Sequence, residues 1–142
     1  MHSLDAAAES LGIELVEAGP DRAVVRMAVR PDMCNGFRIM HGGMTFLLAD
    51  AAMALASNAD NEMALASSAE IDWLASVEIG QVLTATAQQS WSSGRSSLWD
   101  IVVTATPGAE TADQSADQSA GTVVALMRGR TRRVGRSVVD NL

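Results

Sequence analysis

Residues 41–58 carry apolar side chains on every side of any helix they could form. Met44, Phe46, Leu47, Leu48, Ala49, Ala51, Ala52, Met53, Leu55 and Ala56 leave no polar face, and the segment has no strand period. Alanine, leucine and methionine are strong helix formers. A helix that is apolar all round has to be enclosed, and the surrounding sequence offers a sheet as the container. Residues 21–30 alternate, with Val25, Met27 and Val29 on one side and Arg22, Arg26 and Arg30 on the other. That alternation marks a half-buried strand. Residues 64–74, 81–91, 96–105 and 122–134 read as further strands. Leu83, Ala85 and Ala87 share one face, as do Trp99, Ile101, Val103 and Ala105, and Gly80 and residues 92–94 read as turns. Residues 3–11 read as a short helix capped by Ser3 and stopped by Gly12. The expected class is α+β, an antiparallel sheet wrapped around one long central helix, with a long meander following that helix.

A chain of 142 residues predicts one domain over residues 1–142, large enough to bury a core. Residues 107–121 break the strand pattern: Ala-Asp-Gln-Ser at 112–115 is repeated at once at 116–119, and the stretch reads as a mobile hairpin loop without a function of its own. One cysteine, Cys34, and two histidines, His2 and His41, predict no intrachain disulfide, no metal and no cofactor held by metal ligands. The opening residues lack a secretion signal and no apolar run is long enough to cross a bilayer, so the reading is a cytoplasmic protein with no membrane partner. A net charge of −7 speaks against a nucleic-acid partner, which needs a dominant basic field. All ten cations are arginine, and Arg128, Arg130, Arg132, Arg133 and Arg136 crowd into one short stretch. Such a cluster fits an anionic small molecule, or simply a solvated strand surface.

The chemistry-bearing pattern is Asn35, five residues, His41-Gly42-Gly43, six residues, Asp50. Paired glycines at the start of a helix allow close approach to its unpaired N–H groups and partial positive charge, which together can bind an oxyanion. They also serve merely to turn the chain into the helix. Asp50 sits in mid-helix among Leu47, Ala49, Ala51 and Met53, where no capping role exists and an ionised carboxylate is costly unless paired. It reads equally as a site residue or as a buried structural carboxylate. His41 fits an N-terminal cap, and Asn35 a turn. Asp50 lies seven residues beyond Gly43, about 10 Å along a helix axis, too far apart for one small reacting group to meet both.

Asn35-Gly36-Phe37-Arg38-Ile39-Met40-His41-Gly42-Gly43, with Phe46-Leu47-Leu48-Ala49-Asp50 after it, resembles the hotdog-fold acyl-CoA thioesterases of the phenylacetic-acid-degradation (PaaI-like) type. Ile71-Asp72-Trp73-Leu74, Leu83-Thr84-Ala85-Thr86-Ala87 and Ala125-Leu126-Met127-Arg128-Gly129-Arg130 extend the resemblance over about residues 8–135. It implies hydrolysis of a small or aromatic acyl-CoA, hydroxyphenylacetyl-CoA among the options, with coenzyme A as part of the substrate and no separate cofactor. It implies that Asp50 is the catalytic carboxylate, attacking the thioester or activating water. The N–H of Gly42 or Gly43 would polarise the carbonyl, and Asn35 and His41 would place it or the nucleophile. Arg128, Arg130 and Arg132 would lie near the CoA phosphates. Homodimers sharing active sites, paired again as dimers of dimers, are implied too. A module that binds acyl-CoA without turning it over is the alternative. The acyl pocket's shape depends on which of the candidates Met33, Phe37, Met40, Met44 and Trp73 line it.

Overall fold

The computed structural model describes residues 5–108 and 121–138. Its elements, in chain order, are α1 (Ala6–Ser10), β1 (Glu14–Gly19), β2 (Arg22–Ala28), a 3-10 turn (Pro31–Met33), α2 (Gly42–Ser57), β3 (Glu62–Trp73), β4 (Gln81–Ser93), β5 (Ser96–Pro107) and β6 (Thr122–Ser137). The strands form one sheet in the order β1-β2-β4-β5-β6-β3, every neighbouring pair antiparallel. The α+β class and the long central helix are as the sequence predicts.

Inward-facing residues of the sheet meet one face of α2. Val25, Met27, Leu83, Ala85, Trp99, Ile101, Val103 and Met127 are buried, and so are Leu48, Ala49, Ala52, Met53 and Ala56 on the helix. The alanines let the helix sit close. At Gly129 of β6, Met53 of α2 occupies the space a Cβ there would need. Asn58 fastens the far end of the helix: its Nδ2 donates to Ala54 O (2.8 Å) and Ala64 O (3.1 Å), and its Oδ1 accepts from Ala64 N (2.8 Å).

Three expectations are corrected. The first helix is shorter than residues 3–11, and its cap is Asp5, whose carboxylate accepts from Ala8 N at 3.0 Å. The helix and strands do not run on as a plain meander: β3 pairs with β6 at the far edge, leaving β4 to pair with β2. Nor is α2 enclosed on all sides. Phe46, Leu47, Asp50, Ala51, Ala54 and Leu55 are only half-buried and recur at helical spacing, forming one continuous stripe that the chain's own sheet leaves uncovered. The loop expected over 107–121 lies, apart from its ends, outside the described residues. No helix among the described residues is long and apolar enough to cross a membrane.

Candidate active site

The loop leading into α2 is built by Asn35. Its Oδ1 accepts from the backbone N–H of Phe37 (2.9 Å) and Ile39 (3.1 Å), and its own N–H donates to Ile39 O (2.9 Å). This side-chain-closed turn carries the chain through Arg38, whose φ of 65° is left-handed. With Oδ1 so engaged, the half-buried Asn35 keeps its amide NH2 for another partner. The turn reading of Asn35 is therefore correct as far as Oδ1 goes.

His41 follows at the N-cap position. Its backbone N–H donates to Met33 O (3.0 Å) and its carbonyl accepts from Met44 N (3.0 Å), but its side chain makes no cap bond. The imidazole is exposed instead. The helix therefore starts without a side-chain cap, and among the described residues no backbone partner meets the N–H of Gly42 or Gly43. Two unpaired donors at the positive end of a 16-residue helix can polarise a carbonyl or hold an anionic oxygen. A groove of about 500 Å³ opens beside them, lined by Ile39, Met40, Gly42, Thr45, Trp73 and Val77 among others.

Asp50 stands two turns further on, in the middle of the uncovered stripe. Among the described residues its carboxylate has neither a hydrogen bond nor an ion pair. Burial pushes its pKa above the ordinary aspartate value, and the negative charge of Asp5 pushes the same way. A carboxyl held in this condition is a good proton acceptor once ionised.

Arg128, Arg130 and Arg132 do share one face of β6, but it is the outer one. Gly129 between them faces α2 through Met53, so the sheet separates the arginine side chains from the helix of the same chain. Arg128 is paired with Asp100, Nε to Oδ1 at 3.0 Å. Arg130 and Arg132 have no side-chain partner among the described residues. Neighbouring Arg133 contacts Asp60 and Glu62.

Of the candidate pocket residues, Met40 and Trp73 line the groove. Met33 is fully buried in the core, and Phe37 lies 85% exposed at the loop tip. Sequence reading gives no hint of the contact between Trp73 and Gly42, which are 31 residues apart: the indole Nε1 donates to Gly42 O at 3.0 Å.

Residues 37–112 match the family model of the thioesterase superfamily. The chain is similar to the acyl-coenzyme A thioesterase PaaI of Escherichia coli K12, 36% identical with 97% of this chain and 89% of that protein covered. The solved structure of the E. coli PaaI protein, from the phenylacetic acid degradation operon, superposes with a TM-score of 0.84 over 96% of this chain and 90% of the other. A variant of the phenylacetic acid degradation protein PaaI from Thermus thermophilus gives 0.78 at 30% identity, covering 92% and 100%. A 1,4-dihydroxy-2-naphthoyl-CoA hydrolase of Listeria monocytogenes is 30% identical over 68% of this chain and 80% of its own length. An antiparallel sheet around one long helix, a helix start with unpaired donors and these likenesses converge: the chain is a hotdog-fold member of the thioesterase superfamily, a thioester hydrolase.

Proposed function

We propose that the chain, acting as one domain, hydrolyses a small or aromatic acyl-CoA to the free acid and coenzyme A. The observation that carries this reading is the pairing of two unpaired helix-start donors with a lone, destabilised carboxylate on the same helix. The thioester carbonyl accepts from the N–H of Gly42 or Gly43. Asp50 either takes a proton from the water that attacks the carbonyl carbon, or attacks that carbon itself to form an anhydride that water then hydrolyses; in both cases the C–S bond breaks and the CoA thiolate leaves and takes up a proton. Asn35, through its free amide NH2, and His41, through its uncommitted imidazole, orient the carbonyl or the nucleophile. Arg130 and Arg132, with Arg128, meet the CoA phosphates.

About 10 Å of helix separates Gly43 from Asp50. One reacting carbon cannot reach both within one subunit, so the site is completed across a homodimer, with Asp50 from one subunit and the helix start from the other. Two features support this. The apolar stripe around Asp50 is uncovered. Edge strand β3 has one unpaired side and is exposed along residues 65–70, including Leu65 at 56%. Two such dimers pair again.

The test is a panel of acyl-CoAs assayed with a thiol-trapping reagent, wild type beside Asp50→Asn. Thiol release by wild type, reduced at least about 10²-fold in kcat by the variant, is the expected result. Binding of acyl-CoA without thiol release by the wild-type protein would make it a binding module instead.

A further inference from the structure

Two glycines in succession, with no side-chain cap before them, make a loose first turn. Glycine leaves the backbone more conformational freedom than any other residue, and a missing cap loosens a first turn further. Yet this turn has to aim its N–H groups. What stiffens it comes from outside the helix. Trp73, at the end of β3, lies against Gly42 so closely that a Cβ there would stand 2.8 Å from Nε1 and 2.9 Å from Cε2. The same Nε1 donates to the Gly42 carbonyl at 3.0 Å. Only glycine fits under that ring.

The Gly42 carbonyl and the Gly43 N–H belong to one planar trans peptide unit and point in opposite directions. Holding the carbonyl therefore fixes the direction of the N–H. Donation to the carbonyl also polarises the amide, which makes its N–H the stronger donor. On the other side of that unit the Gly43 N–H has no backbone partner among the described residues, and Gly43 is exposed, so the donor is available to a ligand. Trp73 is itself 54% exposed, so core packing does not account for its place.

We propose that Trp73 is a positioning residue for thioester hydrolysis: its indole N–H clamps the Gly42–Gly43 peptide plane so that the Gly43 N–H is aimed at the thioester oxygen. This rests on the reading of the helix start as the carbonyl-polarising group. Because the clamp touches the enzyme's own backbone, its loss should reduce stabilisation of the developing oxyanion and leave ground-state binding alone.

The experiment compares Trp73→Phe, Gly42→Ala, the double variant and Gly43→Pro by steady-state kinetics on one acyl-CoA, with folding checked by circular dichroism. Trp73→Phe keeps an aromatic ring but loses the donor. A fall in kcat of about tenfold with KM within about twofold is expected. Gly42→Ala forces the intact indole away and should show the same split, so it reads the contact even where Trp73→Phe folds poorly. The double variant should be no worse than either single one, since both break one contact. Gly43→Pro removes the aimed N–H within the first helical turn, where no intrahelical bond is lost, and should be inactive. An active Gly43→Pro overturns the assignment of the Gly43 N–H and the clamp with it, leaving only the Gly42 N–H as the polarising donor. An inactive Gly43→Pro beside a Trp73→Phe of unchanged kcat overturns the clamp alone. A raised KM at unchanged kcat also overturns it, making Trp73 only a wall of the groove.

Discussion

The indole Nε1 of Trp99 on β5 donates to the hydroxyl of Thr131 on β6 at 2.8 Å, with Trp99 1% and Thr131 3% exposed. It is a buried polar bond beside buried Ser97, which pairs with Thr131 in the ladder, and water cannot replace either partner. Thr131→Val keeps the shape and removes the acceptor, leaving a buried N–H unpaired. The expected loss is about 1–3 kcal/mol, seen as a lower Tm by calorimetry, whereas Thr131→Ser retains the acceptor and loses less.

Asp50 is held above the ordinary aspartate pKa by burial and then by Asp5, so the folded state favours its neutral form. That preference contributes stability below the unfolded-state pKa and is lost as pH rises through the folded one. Asp50→Asn, neutral throughout, should therefore be more stable than wild type at about pH 7. Its advantage should shrink toward about pH 4, where both states of the wild type protonate. Melting curves across that range check the sign.

The Asp5 carboxylate raises the Asp50 pKa by like-charge repulsion while capping α1. Asp5→Asn keeps a good cap and removes the charge. If Asp50 works in its ionised form, the acid limb of the kcat/KM profile should move to lower pH in this variant. A limb that stays put would mean that another group titrates there.

Shared sites make a specific demand on mixed dimers. Asp50→Asn and Asn35→Ala, each inactive alone, are unfolded and refolded together. Every mixed dimer then holds one undamaged centre, and equal random mixing should recover about a quarter of wild-type activity. Zero recovery would place the whole site within one subunit.

On the outer face of β6, Arg130 and Arg132 lack side-chain partners among the described residues, while Arg128 is held by Asp100. Alanine at 130 or 132 should raise KM more than it lowers kcat, since remote phosphate contacts bind substrate and transition state alike. Replacing Arg128 should cost less, because its guanidinium is already engaged by Asp100. Unchanged KM values in all three would leave the stripe as solvated surface.

Much of this fold is legible wherever burial alternates locally. Leu83, Ala85 and Ala87, and then Trp99, Ile101, Val103 and Ala105, read directly as inward faces, and all are buried. Strand β1 is not legible because residues 14–18 are all exposed, Val16 at 54%, so no period betrays it. The placement of β3 beside β6 depends on long-range pairing that local spacing does not encode. Asp5 and Ser3 are chemically equivalent caps on paper, and only the bond to Ala8 N shows which one Ala6–Ser10 uses. Within the site, Asn35, His41, Gly42 and Gly43 stand out because they crowd one short loop. The stripe containing Asp50 is hidden by the very uniformity of its helix: apolar residues on all sides cannot say which side the chain's own sheet leaves bare.

The register between β5 and β6 continues to Thr104 opposite Val123 and Ala105 opposite Thr122. Hydrogen bonding thus holds the two ends of the intervening segment side by side, whatever length of chain joins them. Doubling such a connection costs only about 0.6 kcal/mol in closure entropy. A duplicated Ala-Asp-Gln-Ser is the kind of change that this position absorbs without disturbing the ladder. For an engineer, the same tolerance makes it a splice point, where an epitope or a reporter domain can be inserted at small energetic expense.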